Sequence, residues 1–192
     1  MKRILLGTMI AVCMMVSHAY ADGPSNNINF LIGQKTLDSD DWGDFDEQAA
    51  FGIFCDFKGQ DWPVSIAIEL IGSAKEEDSL TGSTGEFAVG VKKIWEGAGT
   101  PIKPFVGIGL SSIAAKFKYE DDYYDETYSS DGTGLGYFLE GGVYFTLGAN
   151  LNLGALVRYS YANITIDDIE GVDDFDINGG GTLAGIFIGY HW

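Results

Sequence analysis

The feature that most constrains this chain is a period-two alternation of apolar and small or polar residues that recurs eight times. It runs over 27–35, 48–57, 63–73, 85–95, 102–120, 134–146, 151–166 and 182–192. Such a period marks strands with two different faces. In the second segment Ala49, Phe51, Ile53, Cys55 and Phe57 share one face; in the last, Ala184, Ile186, Ile188, Tyr190 and Trp192 do. The opposite faces carry glycine together with Asp56, Glu69, Glu86, Lys92, Lys103, Glu140 and Arg158, and a few large rings such as Phe54, Phe105, Phe138, Tyr144 and Phe187. Eight alternating segments predict an all-β chain. The alternation alone does not say whether the apolar face points in, as in a soluble sandwich or ligand-binding barrel, or out.

The connections carry that information. They run 34–47, 58–63, 74–84, 96–101, 121–133, 147–150 and 167–181, so long and short alternate. An even strand number with long loops at one end and short turns at the other is the plan of bacterial outer-membrane barrels, whose short turns and termini face the periplasm. Charge follows the same division. The chain has 28 acids against 11 bases, a net charge of −17, and 20 of the acids lie in the four long connections. Three tryptophans, Trp62, Trp95 and Trp192, sit at the short-turn end, where an amphipathic ring suits a membrane interface. Tyr190 joins them, and Tyr159 and Tyr161 with Phe117 and Tyr119 are expected to form the opposite girdle. Lys93, two residues before Trp95, is placed to reach headgroups.

The N-terminus reads as a targeting segment. Lys2 and Arg3 precede an apolar run over 4–16, and Ala19-Tyr20-Ala21 offers small residues at a cleavage site, so 1–21 is expected to be a signal peptide and 22–192 the barrel domain. Loss of Cys13 with that peptide leaves Cys55 without an intrachain disulfide partner. After the N-terminus no apolar run is long enough for a transmembrane helix. The acidity argues against nucleic-acid binding.

These residues resemble the small eight-stranded outer-membrane β-barrels, the family of the OmpA transmembrane domain and OmpX-like proteins. The last strand, with aromatics at Tyr190 and Trp192, is similar to that family's assembly signal, although Phe187 stands where the family favours glycine. The resemblance implies a monomeric antiparallel up-and-down transmembrane barrel in the bacterial outer membrane. Its implied partners are outer-membrane lipid, lipopolysaccharide and the barrel-assembly machinery. No peptidoglycan-binding domain is expected after Trp192. A structural or surface-interaction role is the first expectation; a small or gated pore, an adhesin-like surface protein and a soluble periplasmic barrel are the alternatives.

Four inward charges are the leading site residues. A turn centred near residue 149 sets Glu140 opposite Arg158, and one centred near residue 80 sets Glu69 nearly opposite Lys92. Eight strands enclose a space just wide enough for side chains to fill, so these pairs are expected to form a salt-bridged plug. Catalysis is not expected: the histidine of 22–192, His191, has no serine two residues away to activate. No cofactor is expected. Asp38-Ser39-Asp40-Asp41-Trp42-Gly43 echoes the start of a calcium loop but has Trp42 at its fifth position. Asp38, Asp40, Asp41, Asp173 and Asp174 are therefore weak divalent candidates, for loosely held Ca²⁺ or Mg²⁺. One irregularity stands out in the fifth segment. Its apolar positions are even up to Leu110 and odd at Phe117 and Tyr119, so either a β-bulge lies near Ser111–Ser112 or the membrane part ends there.

Overall fold

The computed structural model describes residues 26–96, 100–121, 126–148, 150–166 and 175–192. The strands are β1 (Asn27–Thr36), β2 (Glu47–Phe57), β3 (Ser65–Glu77), β4 (Leu80–Ile94), β5 (Ile102–Asp121), β6 (Glu126–Leu147), β7 (Leu151–Ile166), β8 (Phe175–Asn178) and β9 (Gly181–His191). A one-turn helix α1 (Ser39–Trp42) and a 3-10 turn (Gly43–Phe45) lie between β1 and β2. From β1 to β7 each strand pairs antiparallel with the next. β9 lies between β7 and β1, in register from Asn27 opposite His191 to Thr36 opposite Thr182. The sheet closes as an eight-stranded antiparallel barrel, its first strand paired with its last. β8 is no ninth stave. It continues β9 along β7 in the same register, Asn163 opposite Asn178 and Ser160 opposite Gly181, with the ladder interrupted at Gly179 and Gly180.

The two faces decide which kind of barrel this is. The exposed side chains are apolar: Leu110 is 74% and Leu135 85% exposed, alongside Phe30, Ile32, Phe51, Ile108, Val157 and Ile186. The charged side chains are inside: Lys92 is 0% and Arg158 1% exposed. A soluble barrel has this arrangement reversed. In hydrocarbon, a closed sheet is one of two ways to satisfy every backbone amide.

The strands run past the alternating segments, and this corrects two expectations. First, the connection expected over 74–84 is the two-residue turn Asp78–Ser79, with Asp78 at φ 53° in the left-handed region that asparagine and aspartate tolerate. The Ser- and Thr-containing flanks of the turn pair as β-ladder rather than loop, Ala74 opposite Ser83 and Glu76 opposite Thr81. The turn is therefore centred before residue 80, and Glu69 faces Ala88 while Lys92 faces Ser65. The β6–β7 turn, with Gly148 at φ 63°, keeps the expected register, Glu140 opposite Arg158. Second, β5 has no bulge. Leu110, Ser111 and Ser112 face Val89, Ala88 and Phe87 in unbroken succession.

What changes along β5 is the character of its inward face. Above Ser111 that face carries Ile113 and Ala115, both buried, and Phe117 packed against them. Phe117 is thus an inward residue, with its ring 4.8 Å from Trp42, and not part of an outer girdle. These residues join Leu37, Trp42, Ala162, Ile164, Ile166 and Ile177 in an apolar cap over one mouth of the barrel. The segment α1 is fastened there by Trp42 Nε1 donating to the Asn178 carbonyl (2.9 Å) and Asn178 N donating to Asp41 Oδ2 (2.7 Å). The fourth tryptophan is therefore a core residue, although in the sequence it stands out only as the break in a calcium motif.

Trp42→Ala is expected to destabilise the cap by about 3–5 kcal/mol, because a large buried ring is lost and the Asn178 carbonyl is left unpaired. Amide hydrogen exchange in β8 and α1 should rise while the strands below stay protected; uniform protection in the variant would show that the cap does not depend on Trp42.

Candidate functional site

Five strands send charged side chains into one cluster inside the lumen. Lys92 of β4 lies 3.0 Å from Asp56 Oδ1 of β2, 3.3 Å from Glu69 Oε1 of β3 and 2.9 Å from Glu140 Oε1 of β6. Arg158 of β7 donates from Nη2 to Glu86 Oε1 of β4 at 2.5 Å. Its Nη1 is shared between Glu69 and Glu140, with 3.4 Å to Glu140 Oε2. Glu69 and Glu140 thus bridge the two cations. Tyr144 OH donates to Asp56 Oδ2 (2.5 Å) and Ser160 Oγ donates to Glu86 Oε2 (3.2 Å), closing the two ends of the chain of carboxylates.

Rings supply the rest of the solvation. Lys92 Nζ sits over Phe54 (4.5 Å) and Phe105 (4.9 Å), and the Arg158 guanidinium over Phe138 (3.7 Å). Such contacts strengthen when water is excluded. Space for the cluster depends on a glycine: a Cβ at Gly107 would come within 2.7 Å of Glu140 Oε1 and 2.9 Å of its Cγ.

On the cap side lies a belt of hydroxyls and an amide around the Lys35 ammonium. Lys35 Nζ donates to Thr84 Oγ1 (3.0 Å) and to the Gly179 carbonyl (3.1 Å), Thr84 Oγ1 is 2.7 Å from Ser73 Oγ, and Ser73 donates to Gln48 Oε1 (2.6 Å). At the opposite mouth Asn152 Nδ2 donates to Asn27 Oδ1 (2.6 Å), which is also 3.3 Å from His191 Nδ1. The lumen is therefore stacked as an amide belt, an ion cluster, a hydroxyl belt and an apolar cap.

Of the residues singled out in the sequence, Glu69, Lys92, Glu140 and Arg158 meet in this cluster, though Lys92 reaches Glu69 diagonally and not from the facing position. Asp56, Glu86 and Tyr144 were missed as members, and Lys35 as the centre of the neighbouring belt. Their signal was parity: each lies on the inward face of its strand. Trp62, Trp95, Tyr159, Tyr161 and Tyr190 are exposed. Tyr190 stacks on Trp192 (6.1 Å), and Tyr161 on Tyr137 (5.8 Å). Lys93 donates to the Pro63 carbonyl at 2.7 Å.

Two of the divalent candidates have other duties. Asp38 caps α1 by accepting from Asp40 N (3.1 Å), and Asp41 accepts from Asn178. Asp173 and Asp174 lie outside the described residues. Among the described residues no three carboxylate, histidine or cysteine side chains converge as a metal-holding group.

A closed antiparallel barrel that is apolar outside and ionic inside defines a transmembrane β-barrel. The family model described as "Outer membrane protein beta-barrel domain" matches residues 4–180, and the chain belongs to that family. Its fold is similar to neisserial surface protein A (TM-score 0.60, 13% identity, 88% of this chain and 97% of that one). It is also similar to OprG from Pseudomonas aeruginosa (0.61, 13%, 88% and 96%) and to a major outer membrane protein from Thermus thermophilus (0.61, 10%, 89% and 100%). At these identities the likeness is one of fold. No curated protein matches the chain in sequence.

Arg158→Gln is expected to cost about 3–5 kcal/mol of unfolding free energy in urea titrations of the micelle-embedded barrel, because three carboxylates lose a shared partner. Adding Glu140→Gln should recover part of it. Strict additivity of the two substitutions would show that they do not act on one cluster.

Proposed function

We propose that this chain is a closed outer-membrane barrel with a structural or surface-interaction role and no catalytic chemistry, and that its lumen is plugged. The observation that carries the reading is the placement of Lys92 and Arg158 among Asp56, Glu69, Glu86 and Glu140 across the width of the lumen. An ion crossing this level has to displace a buried pair, at a cost several times thermal energy. The apolar cap is a second barrier.

Planar-bilayer recording tests the plug. Wild-type protein is expected to show no steady conductance, and Glu140→Gln with Arg158→Gln is expected to add openings. A large wild-type conductance unchanged by the two substitutions would establish a pore. A gated pore is the second reading, and one observation favours it: Arg158 already divides its donors among three carboxylates, so exchange between them needs only rotamer changes.

In the proposed orientation the capped, acid-rich end faces outward, and both termini, with Trp62, Trp95 and Trp192, face the periplasm. The acidic connections then form the surface presented to the medium, where neighbouring lipopolysaccharide, divalent ions or another cell would meet them. Membrane-impermeant thiol labelling of intact cells should modify Asp44→Cys and spare Gln60→Cys. The opposite pattern would invert the orientation.

A further inference from the structure

The outer wall of the barrel is not uniformly studded with side chains. One row crosses it almost bare: Gly72 of β3 faces Gly85 of β4, and Gly85 faces Ala114 of β5. Phe51 and Leu70 border this row on one side and Phe87 below it, and together they flank an open depression of about 430 Å³ in the outer wall. That is within the range of roughly 300–1,000 Å³ usual for ligand pockets. A Cβ at Gly85 would meet nothing within 4 Å. The depression is lined almost wholly by carbon, and it faces the hydrocarbon side of the wall, so its occupant is a lipid chain.

The surroundings state which lipid. On the same outward face of β5, Lys116 and Lys118 follow Ala114 at steps of two residues, about 7 Å and 13 Å further along the strand. Lys116 is exposed. Ser83 faces Lys116 and Thr81 faces Lys118 across the β4–β5 ladder, so the wall turns polar directly above the depression. The chain is strongly acidic. Of its basic residues beyond position 21, Lys35, Lys75, Lys92 and Arg158 lie on inward faces and Lys58, Lys93 and Lys103 lie toward the tryptophan end. Lys116 and Lys118 are the outward-facing pair at the capped end. Two acids lie near the pair: Asp131 faces Lys116 on β6, and Glu120 follows Lys118 two residues further along β5.

We propose that this wall niche is a lipid site that seats one acyl chain of a phosphorylated, multiply acylated glycolipid of the outer leaflet, with Lys116 and Lys118 on its phosphate. The niche holds the chain over Gly85, where the space is open, beside the Phe51 ring that lies over Gly72, and the lysines reach the headgroup level on their own flexible stems. The assignment to the outer leaflet rests on the orientation proposed above; the match of niche to lysines does not.

Native mass spectrometry of the detergent-released barrel tests it, with bis-phosphorylated lipid A, its dephosphorylated form and phosphatidylglycerol as probes. Bis-phosphorylated lipid A should bind at least about tenfold more tightly than phosphatidylglycerol. Gly85→Leu, which fills the niche from a position with open space, should weaken all lipid A binding by about tenfold. Lys116→Gln with Lys118→Gln should weaken the phosphorylated form by a similar factor and leave the dephosphorylated form unchanged. Asp131→Asn should tighten the phosphorylated form. Retained heat-modifiable migration in gels certifies that each variant is folded. Equal binding of lipid A and phosphatidylglycerol, or no effect of Gly85→Leu, overturns the proposal, as does a Gly85→Cys variant that crosslinks to a second copy in the membrane. An inverted orientation, read in the cell-labelling experiment, overturns the outer-leaflet assignment, whereas these affinities test the niche itself.

Discussion

Every peptide group in a hydrocarbon layer has to find its partner within the protein. Here the condition is met by one seam: the antiparallel pairing of β1 with β9, the first strand with the last, from Asn27–His191 to Thr36–Thr182. Without it the other ladders would end in two bare edges in lipid. With it, the faces of every strand are assigned, because closure at eight strands leaves an inside too narrow for lipid and an outside that touches little else. The outward apolar positions and the inward glycines, rings and charges are consequences of that closure.

The narrow interior explains why the lumen contains ions at all. Aliphatic side chains alone would fill it, and the cap shows that this sequence can build such a core. At the level of Lys92 and Arg158 it instead combines two cations, four carboxylates, a tyrosine hydroxyl and three aromatic rings. Replacing an entire buried ionic network by apolar residues is often neutral or stabilising, whereas deleting one member is costly. The cluster is thus better understood as a selected specificity of the lumen than as a source of stability.

Much of this was legible in the sequence because a β-barrel is written in a two-residue code. Parity placed Glu140 and Arg158 on the same inward face, and the short β6–β7 turn fixed their register. The same code covered Asp56, Glu86 and Lys35, but parity gives a face, not a height, and height depends on where each turn falls. The β3–β4 turn shows the limit: 74–84 is rich in polar residues, which outside a membrane serve equally as strand or loop. The ladder continues to Glu77, and Glu69 and Lys92 lose their facing positions. The cap was illegible for a different reason. Leu37, Trp42, Ile113, Ile164 and Ile177 come from four separate stretches, and nothing local tells an acidic loop such as 38–47 that its one tryptophan will turn inward.

Lys35 joins the layers. Its ammonium is buried, yet its hydrogen bonds go to a threonine hydroxyl and to the Gly179 carbonyl, at the break in the last strand. The floor of the cap and the top of the ionic lumen are thereby held by one nitrogen. The cap and the membrane staves are thereby tied through the side chains at positions 35 and 84, while the bond at 179 goes to a main-chain carbonyl that any residue there would supply. An inventory of relatives would therefore show positions 35 and 84 drifting as a pair, with the exposed acidic tip free to vary around them.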